Sequence, residues 1–193
     1  MSTNEMHIIT SQEAEKSGIL EVAKLMLISA RTAPKSCILR GIDDILTMIV
    51  YGDVKEKLAT EMEKIADERK IPQFKRDAKN VRDSEVVMLI GVRGTGPLGL
   101  DCGGCGYSNC DEFENAKKKL GQDFVGPNCI FKLLDLGIAI GSAVKTASML
   151  NVDNRVMYRI GVVAKRLNLL PKASVIMGIP LSAKGKNIYF DRK

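Results

Sequence analysis

The sequence predicts a mixed α/β (α+β) domain, a small central sheet flanked by helices, with a compact cysteine-rich module carried between two of its elements. Three observations predict it. Residues 45–51, 85–92 and 173–179 are short apolar, β-leaning runs, the pattern of buried strands. Stretches between them place apolar residues at helical spacing. Four of the five cysteines fall between residues 102 and 129, in a glycine-rich segment that fits neither pattern. The 193-residue chain is read as one domain, 1–193, with 93–131 as an inserted module.

Each element has its own justification. Residues 1–17 are polar and read as partly extended, and His7, the only histidine, has no partner motif around it and reads as a surface residue. Residues 19–30 form a helix, apolar at 19, 22, 23, 26, 27 and 30, and Pro34 prevents its continuation. After the strand at 45–51, Asp53 is expected to cap a helix with Glu56 as its capping partner, burying Val54, Leu58, Met62 and Ile65. Residues 70–84 are polar, with Pro72 early, and are assigned no element. Residues 131–150 form a long helix, apolar nearly all round and so buried on several sides. Gly137 and Gly141, four apart, would let another helix come close, and a helix too apolar to have a solvent face predicts a homodimer through 131–150. A membrane span is the alternative, but Asp135 and Lys145 interrupt the helix and no comparable segment exists. Residues 156–170 form an amphipathic helix, Gly178 and Pro180 end the last strand, and a basic tail, 184–193, closes the chain.

The cysteines carry the chemistry. Cys102, Cys105, Cys110 and Cys129 follow the spacing C-x2-C-x4-C-x18-C. Gly103, Gly104 and Gly106 let the backbone turn tightly, so neighbouring sulfurs can converge. Four convergent thiolates repel one another unless a metal centre neutralises them, and a [4Fe-4S] cluster is held by four such thiolates. A structural zinc site usually pairs two short C-x2-C knuckles, and only one exists here, so zinc stands as the alternative, with free or disulfide-bonded thiols behind it. Asn109 and Glu112 predict a capped helix from about 110 to 120, with Lys117, Lys118 and Lys119 in its last turn and Gly121 past its end. Pro127 and Asn128 then turn the chain back to deliver Cys129. Cys37 lies outside the ligand set and reads as a buried structural cysteine or a reactive thiol. The run 94–99 fits G-x-G-x-x-G after an apolar strand, but no helix opens from it, so a dinucleotide loop is set aside.

Two resemblances follow. The run Gly-x-x-Cys-Gly-Gly-Cys-Gly-Tyr-x-x-Cys, 99–110, resembles the four-cysteine iron–sulfur domain of Rnf-type electron-transport B subunits and of corrinoid iron–sulfur proteins. Ser29-Ala30-Arg31-Thr32-Ala33-Pro34-Lys35-Ser36 and Val175-Ile176-Met177-Gly178-Ile179-Pro180 resemble, in order and spacing, the Ala-Arg-x-Ala-Pro-Ser turn and the closing Ile-Gly-Tyr-Pro strand of the nitroreductase superfamily. Together they make the chain similar to a family of ferredoxin-domain-containing proteins of unknown function. The resemblance implies a nitroreductase-like scaffold and a homodimer. It also implies possible FMN contacts from Arg31, Lys35 and Ser36 and from the tail residues Lys184, Lys186 and Arg192, the two groups meeting at the dimer interface. The chain lacks that superfamily's opening arginine-rich segment, and 37–43 replaces its flavin-contacting run.

The balance of the composition narrows the function classes. Net charge is +6, but there is no tryptophan, aromatics are 5%, and no nucleic-acid module is present, so nucleic-acid binding is not expected. The charge suits solubility or an acidic redox partner protein. An odd cysteine count behind a polar opening fits a reducing cytoplasm. The expectation is an iron–sulfur redox protein, flavin-linked, with an electron carrier bearing a degenerate flavin pocket, or a structural zinc protein, as alternatives.

Overall fold

The computed structural model describes residues 8–36 and 43–190. His7, Cys37 and Arg192 lie outside the described residues. The first helix, α1 (Ser11–Thr32), starts earlier than the polar opening suggested. Thr10 and Glu13 explain the difference: they form a reciprocal capping box, which offsets the lack of apolar residues in the first two turns. Strand β1 (Ile45–Val50) follows, then α2 (Gly52–Arg69), which buries Leu58, Met62 and Ile65. The Asp53–Glu56 cap does not form, because Tyr51 is the N-cap and no side chain caps the helix, and Val54 stays exposed. The polar run after α2 is a third helix, α3 (Gln73–Asp83). Its few apolar residues, Phe74, Ala78 and Val81, sit at spacings of four and three and all face inward.

Strand β2 (Val86–Val92) is buried at every position. The cysteine segment then holds a short helix, α4 (Cys110–Asn115), and a two-stranded hairpin, β3 (Lys119–Leu120) with β4 (Val125–Gly126). The expected helix from 110 to 120 is therefore half as long. Lys118 reaches back to the Phe113 carbonyl, and the chain turns into β3 where a continuous helix was expected. The long helix is α5 (Ile130–Met149). A two-residue strand β5 (Asp153–Asn154), a helix α6 (Tyr158–Arg166) and strand β6 (Val175–Ser182) complete the chain.

The main sheet has the order β1-β2-β6-β5, all pairs antiparallel. Helices cover both faces. Val87 and Leu89 point into one core with residues of α2, α3 and α6, while Met88, Ile90 and Val92 point into another with α1 and α5. Two covered faces explain why β2 reads as an unbroken apolar run. Strand β6 runs through Gly178 and Pro180, although proline was expected to end it. Gly178 exchanges hydrogen bonds with Met157, and Leu181 accepts from Glu85 next to β2, so Pro180 faces the flank away from β2, where it owes no ladder bond. Gly161 and Gly178 let α6 lie directly on β6. A Cβ on Gly161 would sit 1.7 Å from the Ile176 carbonyl oxygen, and one on Gly178 2.1 Å from Ile160.

No helix among the described residues is long and apolar enough to cross a membrane. The outer face of α5 is nevertheless apolar: Ile130, Leu133, Leu134 and Ile138 are exposed along it, and nothing lies within 4 Å of a Cβ on Gly137 or Gly141. The expectation of burial on several sides thus holds for one face of α5 within the chain, where Leu136, Ala139, Ala143 and Ala147 pack, and not for the other.

Candidate metal centre

The four cysteines sit on one compact segment whose ends are pinned together. Strand β2 ends at Val92, Gly94 N–H donates to the buried Ser174 hydroxyl, and Cys129 N–H donates to Gly94 O at 2.8 Å. Cys129 is therefore the residue that opens α5, and it is buried. It packs with Leu98 and Phe113 in a small apolar cluster that also takes Cys105, Tyr107 and Phe131. Tyr107 meets Phe113 edge to face at 5.7 Å, and the Lys118 ammonium lies 3.9 Å from the Phe113 centroid.

Glycine supplies the tight turn: Gly103 and Gly106 have φ of 69° and 87°, and Gly106 N–H closes on Gly103 O at 3.0 Å. A Cβ on Gly104 would lie 2.8 Å from Ile130 and 3.6 Å from the Cys102 sulfur, so this loop rides close over the start of α5. Asn109 caps α4 by accepting the Glu112 N–H at 2.8 Å, as the sequence predicts, although Glu112 returns its carboxylate to Ser108 N–H. Cys110 N–H donates to Asp101 Oδ1 at 2.7 Å, and Asp101 N–H donates to the Cys110 sulfur at 3.4 Å.

Cys102, Cys105, Cys110 and Cys129 are all free thiols. Among the described residues no three His, Cys, Asp or Glu side chains already stand in metal-binding array. Four unpaired thiols, an apolar wall and a backbone N–H on one sulfur are a donor set suited to an iron–sulfur centre, which takes thiolate ligands and is tuned by hydrogen bonds to sulfur.

The second group of expected site residues is arranged differently. Arg31 donates to Ile45 O at 2.6 Å and pairs with Asp43 at 3.1 Å. Lys35 donates to Arg31 O and Ala33 O at the end of α1, and burial with the nearby Arg31 charge pushes its pKa down. Ser36 donates through N–H and hydroxyl to Asp135 Oδ1, both at 2.8 Å. All three are thus engaged inside the chain, at the end of the sheet where Ile45 pairs with Val92 and Val92 with Val175. Lys184 and Lys186 lie at the other end, beyond Ser182, lining a polar cleft of about 590 Å³ with Asn151, Asn154 and Asn187. Lys184 donates to Asp83 O and pairs with Glu85 at 3.0 Å. Within the chain the described members of the two groups lie at opposite ends of the sheet.

Three polar residues at this junction were missed in the sequence. Asp101 has φ 47° and clamps Cys110. Lys132 is buried and pairs with Asp44 at 2.9 Å, and Asp135 is 3% exposed beneath Ser36. A signal was present: Lys132 and Asp135 are charges on the inward face of an otherwise apolar helix, and buried charges need partners.

Comparison with known proteins agrees with this architecture. A family model described as an uncharacterized protein containing a ferredoxin domain matches residues 125–192, which include Cys129. An uncharacterized protein of Archaeoglobus fulgidus is 47% identical over 185 residues, covering 96% of this chain and 97% of that one. Among solved structures, a nitroreductase with bound FMN from Desulfitobacterium hafniense matches with TM-score 0.54 and 10% identity over 93% of this chain and 81% of that one. A nitroreductase-like family protein from Bacillus cereus matches with TM-score 0.53 and 9% identity over 97% and 93%. Nitroreductase A from Vibrio parahaemolyticus matches with TM-score 0.52 and 11% identity over 90% of this chain. The chain spans 62% of that last protein's length and 65% of the length of the NADPH:FMN oxidoreductase from Vibrio harveyi. At these identities the likeness shows a nitroreductase-like fold.

Proposed function

Because the chain belongs to the family of uncharacterized proteins containing a ferredoxin domain, we propose that it is an iron–sulfur redox protein in which Cys102, Cys105, Cys110 and Cys129 hold a [4Fe-4S] cluster. The observation that supports this reading is four free thiols within residues 102–129, of which Cys129 and Cys105 share one apolar cluster and Cys110 accepts a backbone N–H on its sulfur; the four would have to close up around the cluster on binding it. Such a cluster supplies one-electron transfer. The protein's own part is to set the sulfur ligands, exclude water on the Leu98–Phe113 side and present the Cys102 side to solvent, where a partner protein can approach. Four unpaired thiols suit a reducing cytoplasm. We read the chain as a single unit with 93–131 as an insert, and the exposed apolar face of α5, with its two open glycines, as a homodimer surface.

A flavin-linked oxidoreductase is the second reading. It is favoured by the nitroreductase-like fold and the FMN named in neighbouring structures. In that reading Arg31, Lys35 and Ser36 of one protomer and Lys184, Lys186 and Arg192 of the other hold the flavin. The internal bonds of Arg31, Lys35 and Ser36 would have to be exchanged for it, which favours the carrier reading.

The test is anaerobic purification, or reconstitution with iron and sulfide, followed by iron, sulfide and flavin analysis and electron paramagnetic resonance of the reduced protein. About four irons and four sulfides per chain with visible absorption that bleaches on reduction is the expected result. Stoichiometric zinc, or no metal uptake, would refute it. Saturable FMN binding by the loaded protein would move the assignment to the oxidoreductase.

A further inference from the structure

A cleft of about 410 Å³ lies where the turn between β3 and β4 meets α2 and α6. Its volume falls within the range that encloses a small organic molecule. Leu120 and Val162 give it apolar walls, Arg69, Lys165 and Arg166 bring positive charge, and Gln122 and the Asp123 carboxylate complete the lining. Two of these cations are already matched. Arg69 donates to Asp123 Oδ1 at 2.5 Å and to Gln122 O at 3.2 Å. Arg166 spans Glu68 at 2.6 and 2.9 Å and Glu61 at 2.8 Å.

Lys165 differs. Its ammonium donates to Ala173 O at 2.5 Å and Pro171 O at 3.3 Å, both neutral carbonyls, and among the described residues no carboxylate pairs with it. An ammonium offers three donors. The carbonyls fix its position without neutralising it, so the cleft holds a partly buried, uncompensated positive charge. Burial alone pushes its pKa down, as expected for a cation that lacks a counter-ion.

We propose that this cleft binds a small organic anion, a carboxylate or phosphate on an apolar frame, its anionic oxygens on Lys165 and its apolar body against Leu120 and Val162. A partly buried cation without a counter-ion is unfavourable, and an anion beside it lowers that cost while the apolar walls add affinity. The site is separate from the cysteines, and its occupant would bear on the hairpin that leads, through β4, to Cys129. The proposal does not depend on the cluster assignment, and its test needs no metal.

The experiment is titration of the full chain with benzoate, phenyl phosphate and inorganic phosphate, followed by calorimetry and by amide chemical shifts. Saturable binding of benzoate or phenyl phosphate that maps to 120–123 and 162–166, about tenfold tighter than inorganic phosphate, is expected. Which of the two frames binds tighter distinguishes carboxylate from phosphate. Lys165→Met should abolish binding and Lys165→Arg should largely retain it. Leu120→Glu, at a position 66% exposed and thus unimportant to folding, should also abolish binding while leaving Lys165 in place. Affinity should fall as pH rises through the lowered lysine pKa. No saturable binding of either probe at millimolar concentration, binding that maps elsewhere, or binding indifferent to Lys165→Met would overturn the proposal.

Discussion

Asp101 and Cys110 hold each other by two hydrogen bonds, Cys110 N–H to the Asp101 carboxylate and Asp101 N–H to the Cys110 sulfur. Asp101 does this from a left-handed backbone conformation that Asp and Asn tolerate better than other side chains. The N–H orients the sulfur of an expected ligand, and the carboxylate fixes the backbone that carries it. Asp101→Ala should lower metal affinity by about 10–100-fold, as loss of a partner that orients a ligand typically does. Asp101→Asn keeps both the acceptor and the conformational tolerance and should stay close to wild type. Competition with a chelator measures both.

Serine at Cys102, Cys105, Cys110 or Cys129 should each reduce iron content and visible absorbance, while Cys37→Ser leaves both unchanged. Reconstituted iron per chain is the measurement. Full occupancy in Cys129→Ser would remove the fourth ligand from the assignment. Chelation of the loaded protein should loosen 95–128 more than the sheet, which hydrogen exchange can read.

The exposed face of α5 predicts its own disruption. Leu134→Glu with Ile138→Glu should convert a dimer to a monomer without loss of helix content, because both side chains point outward. Light scattering after gel filtration decides it, and a wild-type protein that is monomeric at high concentration would contradict the interface.

Tyr158 donates to Asp123, which also accepts from Arg69, so the β3–β4 hairpin is tied to α2 and α6. Burial first, and this bond second, push the Tyr158 pKa up to about 12. A folded-state pKa above the unfolded value near 10 means a contribution fully present below about pH 10 and lost as pH rises towards about 12. Denaturant midpoints should therefore fall across that window, and less steeply in Tyr158→Phe.

Gly161→Ala should destabilise by about 1–3 kcal/mol or more, since its Cβ would meet the backbone of β6 rather than a yielding side chain. Urea midpoints measure it. A neutral result would mean that α6 can lift off the sheet at little cost.

The strand at 85–92 was readable in the sequence because burial on both faces leaves an unbroken apolar run, and the strand at 45–51 and the long helix were readable from apolar runs of their own, although β1 is half-buried along its middle and α5 leaves one face exposed. Helix α3 was not, because three apolar residues in eleven suffice when Asp77 is buried against Arg76 and Arg159. The extension of β6 through Pro180 was hidden because the direction a strand N–H faces depends on its neighbours. At the candidate site the thiols were legible from spacing, and Asp101 was not, since its role rests on a backbone conformation. The internal bonds of Arg31, Lys35 and Ser36 depend on residues 12 to 99 positions away in part, as Ser36 with Asp135, which no local pattern reveals.

The hydrogen bond from Cys129 to Gly94 closes the two ends of the cysteine segment on each other. The register of β2 against β6 borrows no residue from 95–128. The returning half is nevertheless moored to the scaffold, by Val125 N–H on Ser174 O, by Asp123 on Arg69 and Tyr158, and by Phe124 against Tyr158. The segment is therefore no detachable cassette. Cut out at Gly94 and Cys129, it would take these moorings with it, and the host would keep its sheet but lose a brace shared by α2 and α6.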